Sequence, residues 1–231
     1  MELMKEIHQE LSDRSKPVRF ACEQLEILVR NELGKPSGDL YPHDMESIES
    51  IVYERESLGE PQVRSLSGLE YATGLKGLIL SGQRIQDLTP ISYITGIEEI
   101  DLSNNWIVDL SPLQNLMSLK ALILTRNSIY SVAPLRELQN LVWLFLAYNH
   151  IRDISPLKNL GNLHGLYLGG NEIQNFSSLE HMQVEELDYH SEDATLMEAY
   201  HAVIESSVDT ELALENVTDE IVFTDDLSGL V

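Results

Sequence analysis

One cysteine, Cys22, stands in 231 residues. A lone thiol builds no disulfide framework, so the chain reads as a protein of a reducing compartment. Basic residues are scarce: 15 lysines and arginines face 38 acids, for a formal net charge of −23. That balance leaves no basic stripe for nucleic acid and repels an anionic membrane. No apolar run approaches the roughly 18 residues of a membrane span. The opening MELMKEIHQELSDR mixes acids into its first turns and lacks the apolar centre of a signal peptide. A cytoplasmic location is therefore expected. The seven histidines are scattered, with no H-x-x-x-H pair, and no glycine-rich phosphate loop is present; Gly169-Gly170 is a turn. His164 and His190 are expected to fall on the concave C-terminal side near Asp188, where a metal would need three converging ligands. No metal, cofactor or catalytic residue is expected.

What the chain has is a period. TGLKGLILSGQRIQDLTPISYI (73–94) is followed without a gap by copies at 95–116, 117–138, 139–160 and 161–182, each of 22 residues. A fixed period in the twenties marks a solenoid, in which each unit buries its apolar face only against the next. In the copy 95–116, Ile97, Ile100 and Leu102 supply a short strand and its core contacts, and Asn105 turns the chain. Asn127, Asn149 and Asn171 repeat that position, so their amides are expected to form a ladder that satisfies backbone groups; Gln83 begins it imperfectly. Ile107, Leu110, Leu113 and Leu116 fill the return side, where Pro112 sits in an irregular segment.

The motif L-x-x-L-x-L-x-x-N-x-I, then D-L-S-P-L, resembles the leucine-rich repeat in the spacing of internalins and phosphatase regulatory subunits. The resemblance covers about residues 46–190. It implies an α/β solenoid: a leucine-rich-repeat horseshoe with a parallel concave sheet, a helical N-terminal cap and an acidic C-terminal cap. The domains read as a cap over 1–45, repeats over 46–190 and an acidic cap and tail over 191–231. Within the repeats, 46–72 is irregular, a 27-residue copy with an insertion around Glu56–Pro61, and 183–190 is a truncated last copy, for about seven strands. The stretch 20–33 has helical periodicity, with Leu25, Leu28 and Val29 on one face and Gly34 and Pro36 beyond its end. Helical spacing also runs through 2–12 and 194–206, and 212–214 with 221–223 could pair as strands. The wall-anchoring signal of secreted internalins is not visible, so their receptor-binding role is not carried over.

Subtracting the core leaves variable columns on the strand face. One reads Ile79, Asp101, Ile123, Phe145, Tyr167, Asp188; the column two residues earlier reads Gly77, Glu99, Ala121, Trp143, Gly165, Glu186. Neighbouring strands lie about 4.8 Å apart, so Ile123, Trp143, Phe145 and Tyr167 are expected to form one exposed aromatic patch, widened by Tyr148, Val142 and His164. Acids flank it, Glu98, Glu99 and Asp101 on one side and Glu185, Glu186 and Asp188 on the other, with Arg126 at its edge. A contiguous apolar patch with an acidic rim marks an interface. A second set, Trp106, Val108 and Tyr130, follows the asparagine turn and reads as packing on the convex flank.

The chain is thus expected to be a non-enzymatic protein-binding module. Its partner is expected to be a basic protein, held through the concave face, as by an inhibitor or immunity protein. A regulatory or scaffold subunit of an enzyme such as a phosphatase is the alternative, and self-association into a homodimer is a further, less favoured one. The charge sharpens this. No lysine or arginine follows Lys158, and residues 159–231 carry 16 acids, so −16 of the −23 lies there and −7 in the rest.

Overall fold

Leucines at the three core positions of each copy cannot be buried by one short strand, and the structure shows what buries them. A computed structural model describes residues 14–53, 61–179, 182 and 184–188. Two compact units divide the chain, Met1–His190 and Ser191–Val231, and the second lies outside the described residues. So do the helical spacing at 2–12, most of the insertion near 56–61, and the helix and strand pair expected beyond 190.

Seven strands form one parallel sheet in chain order: β1 (Ser50–Val52), β2 (Gly77–Ile79), β3 (Glu99–Asp101), β4 (Ala121–Ile123), β5 (Trp143–Phe145), β6 (Gly165–Tyr167) and β7 (Glu186–Asp188). Regular strands pair at an offset of one repeat, as in Leu122 beside Leu144. The first and last pairs, Ile51 with Leu78 and Leu166 with Leu187, absorb the long first copy and the early last one. The core positions Leu119, Leu122 and Leu124, and their equivalents in neighbouring copies, are fully buried. Each such side chain contributes about 1.5–3 kcal/mol of transfer free energy, and only stacking makes it available.

The return segments are more regular than expected. Each copy closes with a 3-10 turn, Thr89–Tyr93, Ser111–Leu113, Ala133–Leu135, Ser155–Asn159 and Ser177–Leu179. Proline occupies the first turn in the first four of these, where its missing N–H costs nothing. The residue two before the turn caps it. Asp87, Asp109, Asp153 and Asn175 accept the backbone N–H of Thr89, Ser111, Ser155 and Ser177 at 2.8–2.9 Å, and the Ser131 hydroxyl receives that of Ala133 at 3.3 Å. The Ser111 hydroxyl also donates to Asp109, and these bonds hold the Asp109 carboxyl below the ordinary carboxylate range. The backbone N–H of Ser155 does the same for Asp153. A carboxyl lowered by folding stabilises the fold above its unfolded pKa, and that contribution is lost as pH falls through the folded one.

The asparagine ladder is continuous from Asn105 to Asn171. Asn127 Oδ1 accepts the N–H of Ile107 in the preceding copy at 3.0 Å, while its Nδ2 donates to Leu102 O at 2.9 Å and to Leu124 O at 3.0 Å. Asn105, Asn149 and Asn171 repeat the pattern. Gln83 accepts the N–H of Val63 but turns its amide to Ser81 O. At the N-terminal end, α1 (Glu23–Glu32) buries Leu25 and Val29. Gly34, at φ 60°, ends it, with Lys35 N–H reaching back to Arg30 O and Gly34 N–H to Asn31 O. A short α2 (Pro42–Met45) follows, and Met45, Leu40 and Val18 belong to the same buried core as Ile48 and Leu69.

Because Asn127 serves three buried backbone groups of two copies, Asn127→Ala is expected to cost about 3 kcal/mol or more. Asn162 makes an exposed bond to Gln139 O, and Asn162→Ala is expected to cost under about 1 kcal/mol. Urea unfolding of both variants checks this, and equal losses would remove the ladder from its supporting role.

Candidate functional site

The columns read from the sequence are real neighbours. Register places Ile123 beside Phe145 and Phe145 beside Tyr167, with Trp143 between Ala121 and Gly165. Phe145 and Tyr167 stack with ring centroids 4.3 Å apart and planes 4° from parallel. Trp143 lies 6.4 Å from Phe145, and His164 meets the indole edge-on at 4.9 Å.

These rings do not form the exposed patch that was expected. Phe145 is 0% exposed, Tyr167 4% and Trp143 6%, and Ile123 is also fully buried. Strand alternation says which side chains leave the core; it does not say that they reach water. Phe145 and Tyr167 each cover one face of the other. Gly165 seats the indole beside them, because a Cβ there would lie 2.4 Å from the Trp143 ring. The acids differ from expectation as well. Asp101 is buried and accepts the N–H of Ser103 at 2.8 Å. Glu186 is buried and accepts the Tyr167 hydroxyl at 2.5 Å. Burial pushes the Tyr167 hydroxyl far above its ordinary pKa, and the bond to Glu186 and the charges of Glu186 and Asp188 push it further. Glu99 and Asp188 are half-buried. His164 is half-buried too, with its Nδ1 3.5 Å from Glu185 and its Nε2 3.6 Å from Glu186. The expectation that the acidic stretch 191–231 caps the array or reaches this face lies outside the described residues.

Tyr148 and Arg126 belong elsewhere, in a column that periodicity did not single out. Gly82, Asn104, Arg126, Tyr148 and Gly170 immediately precede the asparagine position, and all have left-handed backbones, φ 54–69°. Non-glycine residues pay roughly 1–2 kcal/mol for that conformation. They recover it by extending the ladder: Asn104 N–H donates to Thr125 O, Arg126 to Ala147 O and Tyr148 to Gly169 O. The Arg126 guanidinium lies over the Tyr148 ring at 4.3 Å, and that ring in turn covers Gly170. Glycines at 82 and 170 were the available signal for this column.

The exposed aromatic surface is the flank. Trp106 is 49% exposed, Val108 53% and Tyr130 62%, so these residues are not packing positions. The Arg84 guanidinium lies 5.1 Å from the centre of the Trp106 ring, and Tyr130 stacks on His150 at 5.0 Å. Arg152 donates twice to Glu172 Oε2, and His150 approaches Glu172 Oε1 at 3.5 Å. Among the described residues, no group of three or more His, Cys, Asp or Glu is placed to hold a metal, and no helix is long and apolar enough to cross a membrane. Cys22 is half-buried just before α1, its Sγ 3.6 Å from Gln62 O.

Residues 139–181 match the family model of leucine rich repeats in two copies. The array is built of leucine-rich repeats. Solved structures with similar leucine-rich repeats include an internalin from Listeria monocytogenes, 27% identical with a TM-score of 0.59 over 75% of this chain and 59% of that one. Internalin C2 of the same organism is 26% identical, with a TM-score of 0.55 over 77% of this chain and 89% of that one. The chain thus spans 59% of the length of the first of these internalins. No curated protein matches the sequence.

If Gly165 exists to seat Trp143, Gly165→Ala is expected to cost about 2 kcal/mol by overpacking, and much less once Trp143→Ala has emptied the site. Trp143→Ala alone is expected to cost about 3–5 kcal/mol. A double-mutant cycle by urea unfolding measures the coupling, and additive losses would show that the two residues are not a packed pair.

Proposed function

We propose that this chain is a non-enzymatic binding module that holds a basic protein partner, in the manner of an inhibitor such as an immunity protein set against a basic toxin. Leucine-rich-repeat arrays are suited to protein–protein interaction, because their stacked copies offer an extended, preordered surface. A partner meeting such a surface loses little to ordering it. The observation that supports a basic partner is the charge: 38 acids against 15 lysines and arginines. Several of these carboxylates are held below their ordinary range by bonds within the array. The Lys120 ammonium does this for Glu98, and the Arg152 guanidinium for Glu172. Such a field speeds encounter with a positively charged surface. With a single cysteine, we place the protein in the reducing cytoplasm.

Affinity capture with the full chain from its native cell, at about 0.15 M salt, is expected to return one stoichiometric partner of basic isoelectric point. The association rate with that partner is expected to fall about tenfold or more as ionic strength rises from about 0.05 to about 0.5 M. A neutral or acidic partner, or a rate indifferent to salt, would overturn the reading.

A further inference from the structure

The strand-face aromatics are buried, yet three large apolar side chains remain in water on the flank. Their exposure follows from the local alternation of the chain. In the run 105–108, Asn105 and Ile107 point inward and are buried, so Trp106 and Val108 must point out. In the next copy Asn127 and Ile129 are buried, and Tyr130 points out. A backbone bond ties each flank segment to the one before: Trp106 N–H donates to Ile85 O, Ser128 to Ile107 O, His150 to Ile129 O and Glu172 to Ile151 O. The strip is therefore a ladder with one rung per copy, and its exposed side chains stand on fixed backbone.

Exposed carboxylates surround the strip. Asp87, Asp109 and Asp153 follow it in three of the copies, with Ser131 at that position in the copy between the last two, and Glu172 lies beside His150 and Arg152 at its far end. The three aspartates are held in place as caps of the 3-10 turns. Of the cations in the strip, Arg152 is paired with Glu172 and Arg84 lies against the Trp106 ring. That last contact shows that the indole face accepts a guanidinium. Trp, Tyr and Arg with an acid rim are what energetic centres of interfaces use, and a cation over a tryptophan face is favourable.

We propose that the flank strip of Trp106, Val108 and Tyr130, rimmed by Asp87, Asp109, Asp153 and Glu172, is a docking surface for a basic protein segment that brings an apolar side chain flanked by lysine or arginine. This rests on the basic-partner reading above and locates it on the flank. A second copy is a poorer occupant, since it brings another −23 and the same acid rim to a two-fold contact.

The test is a displayed library of random peptides, selected on the full chain at about 0.15 M salt. Enriched peptides are expected to carry lysine or arginine beside an apolar residue. Synthetic copies of them are expected to bind the Trp106→Ala/Tyr130→Ala variant at least about tenfold more weakly, and Glu172→Gln about threefold more weakly. Glu137, exposed and remote from the strip in its copy, supplies a charge control: Glu137→Gln is expected to leave affinity within about twofold. Unchanged thermal unfolding of the variants is expected, because the substituted side chains are exposed. Basic peptides that bind Trp106→Ala/Tyr130→Ala as tightly as the native chain would overturn this surface and leave the basic-partner reading standing. Enriched peptides without basic residues, or no enrichment, would overturn both. Equal weakening by Glu137→Gln would reduce the effect to bulk charge, and a native dimer that the double variant converts to monomer would assign the strip to a second copy; either result overturns the proposal.

Discussion

Each asparagine of the ladder belongs to two copies at once, and the rest of the structure depends on that sharing. Asn127 takes an N–H from the copy before it and gives its own amide to a carbonyl of that copy and to one of its own. A buried backbone group without a partner costs about 1–3 kcal/mol, so the turn after each strand is tolerable only where a neighbour stands in register. This makes the period strict. An insertion inside a regular copy would move one asparagine away from the groups of two copies, whereas the first copy has its extra residues before the ladder begins. Gln83 marks that boundary: its longer side chain still accepts Val63 N–H but spends its amide on Ser81.

With the period held, the chain has three ways to pass side chains outward, and they end differently. On the strand face, columns run across neighbours spaced by one hydrogen-bonded strand, so adjacent large rings meet and stack. At the left-handed position the backbone itself limits what fits. Glycine is cheapest there, and Arg126 and Tyr148 are held by N–H bonds to the next copy and by their mutual stacking. On the flank Ser128 beside Trp106 and Gln86 beside Val108 are small or polar; Arg84 over the Trp106 ring and His150 against Tyr130 each cover one face, and both rings stay exposed.

That difference explains what could be read from the sequence. The leucine positions, the asparagine ladder and the seven strand positions follow from periodicity, because each depends on residues repeated in every copy. The stacking of Phe145 on Tyr167 does not, because it depends on which large side chains happen to adjoin across strands. One clue was present: a glycine, Gly165, directly beside Trp143 in the column. A small residue next to an indole indicates a ring lying flat on backbone rather than standing in solvent. The capped 3-10 turn was also legible in principle, since D-L-S-P-L places a side-chain acceptor two residues before an unpaired N–H and a proline where none is needed. The flank is harder to read because single exposed apolar residues are common; it is the inward turn of Asn105 and Ile107, and of Asn127 and Ile129, that forces Trp106 and Tyr130 outward.

The acids have a double part in this arrangement. Asp109 and Asp153 are needed by the turns that return the chain, and each is held ionised by the bonds it accepts. Asn175 and Ser131 cap the equivalent turns without charge, so the turn asks only for an acceptor and the aspartates add charge to it. Repetition then does to charge what it does to leucine: a capping acid recurs along the same edge in the copies of Asp87, Asp109 and Asp153, beside the flank column. Self-repulsion along that edge works against the fold, and the backbone ladders offset it. A basic segment laid across the copies would relieve that repulsion while covering apolar surface that the fold has no inward place to put.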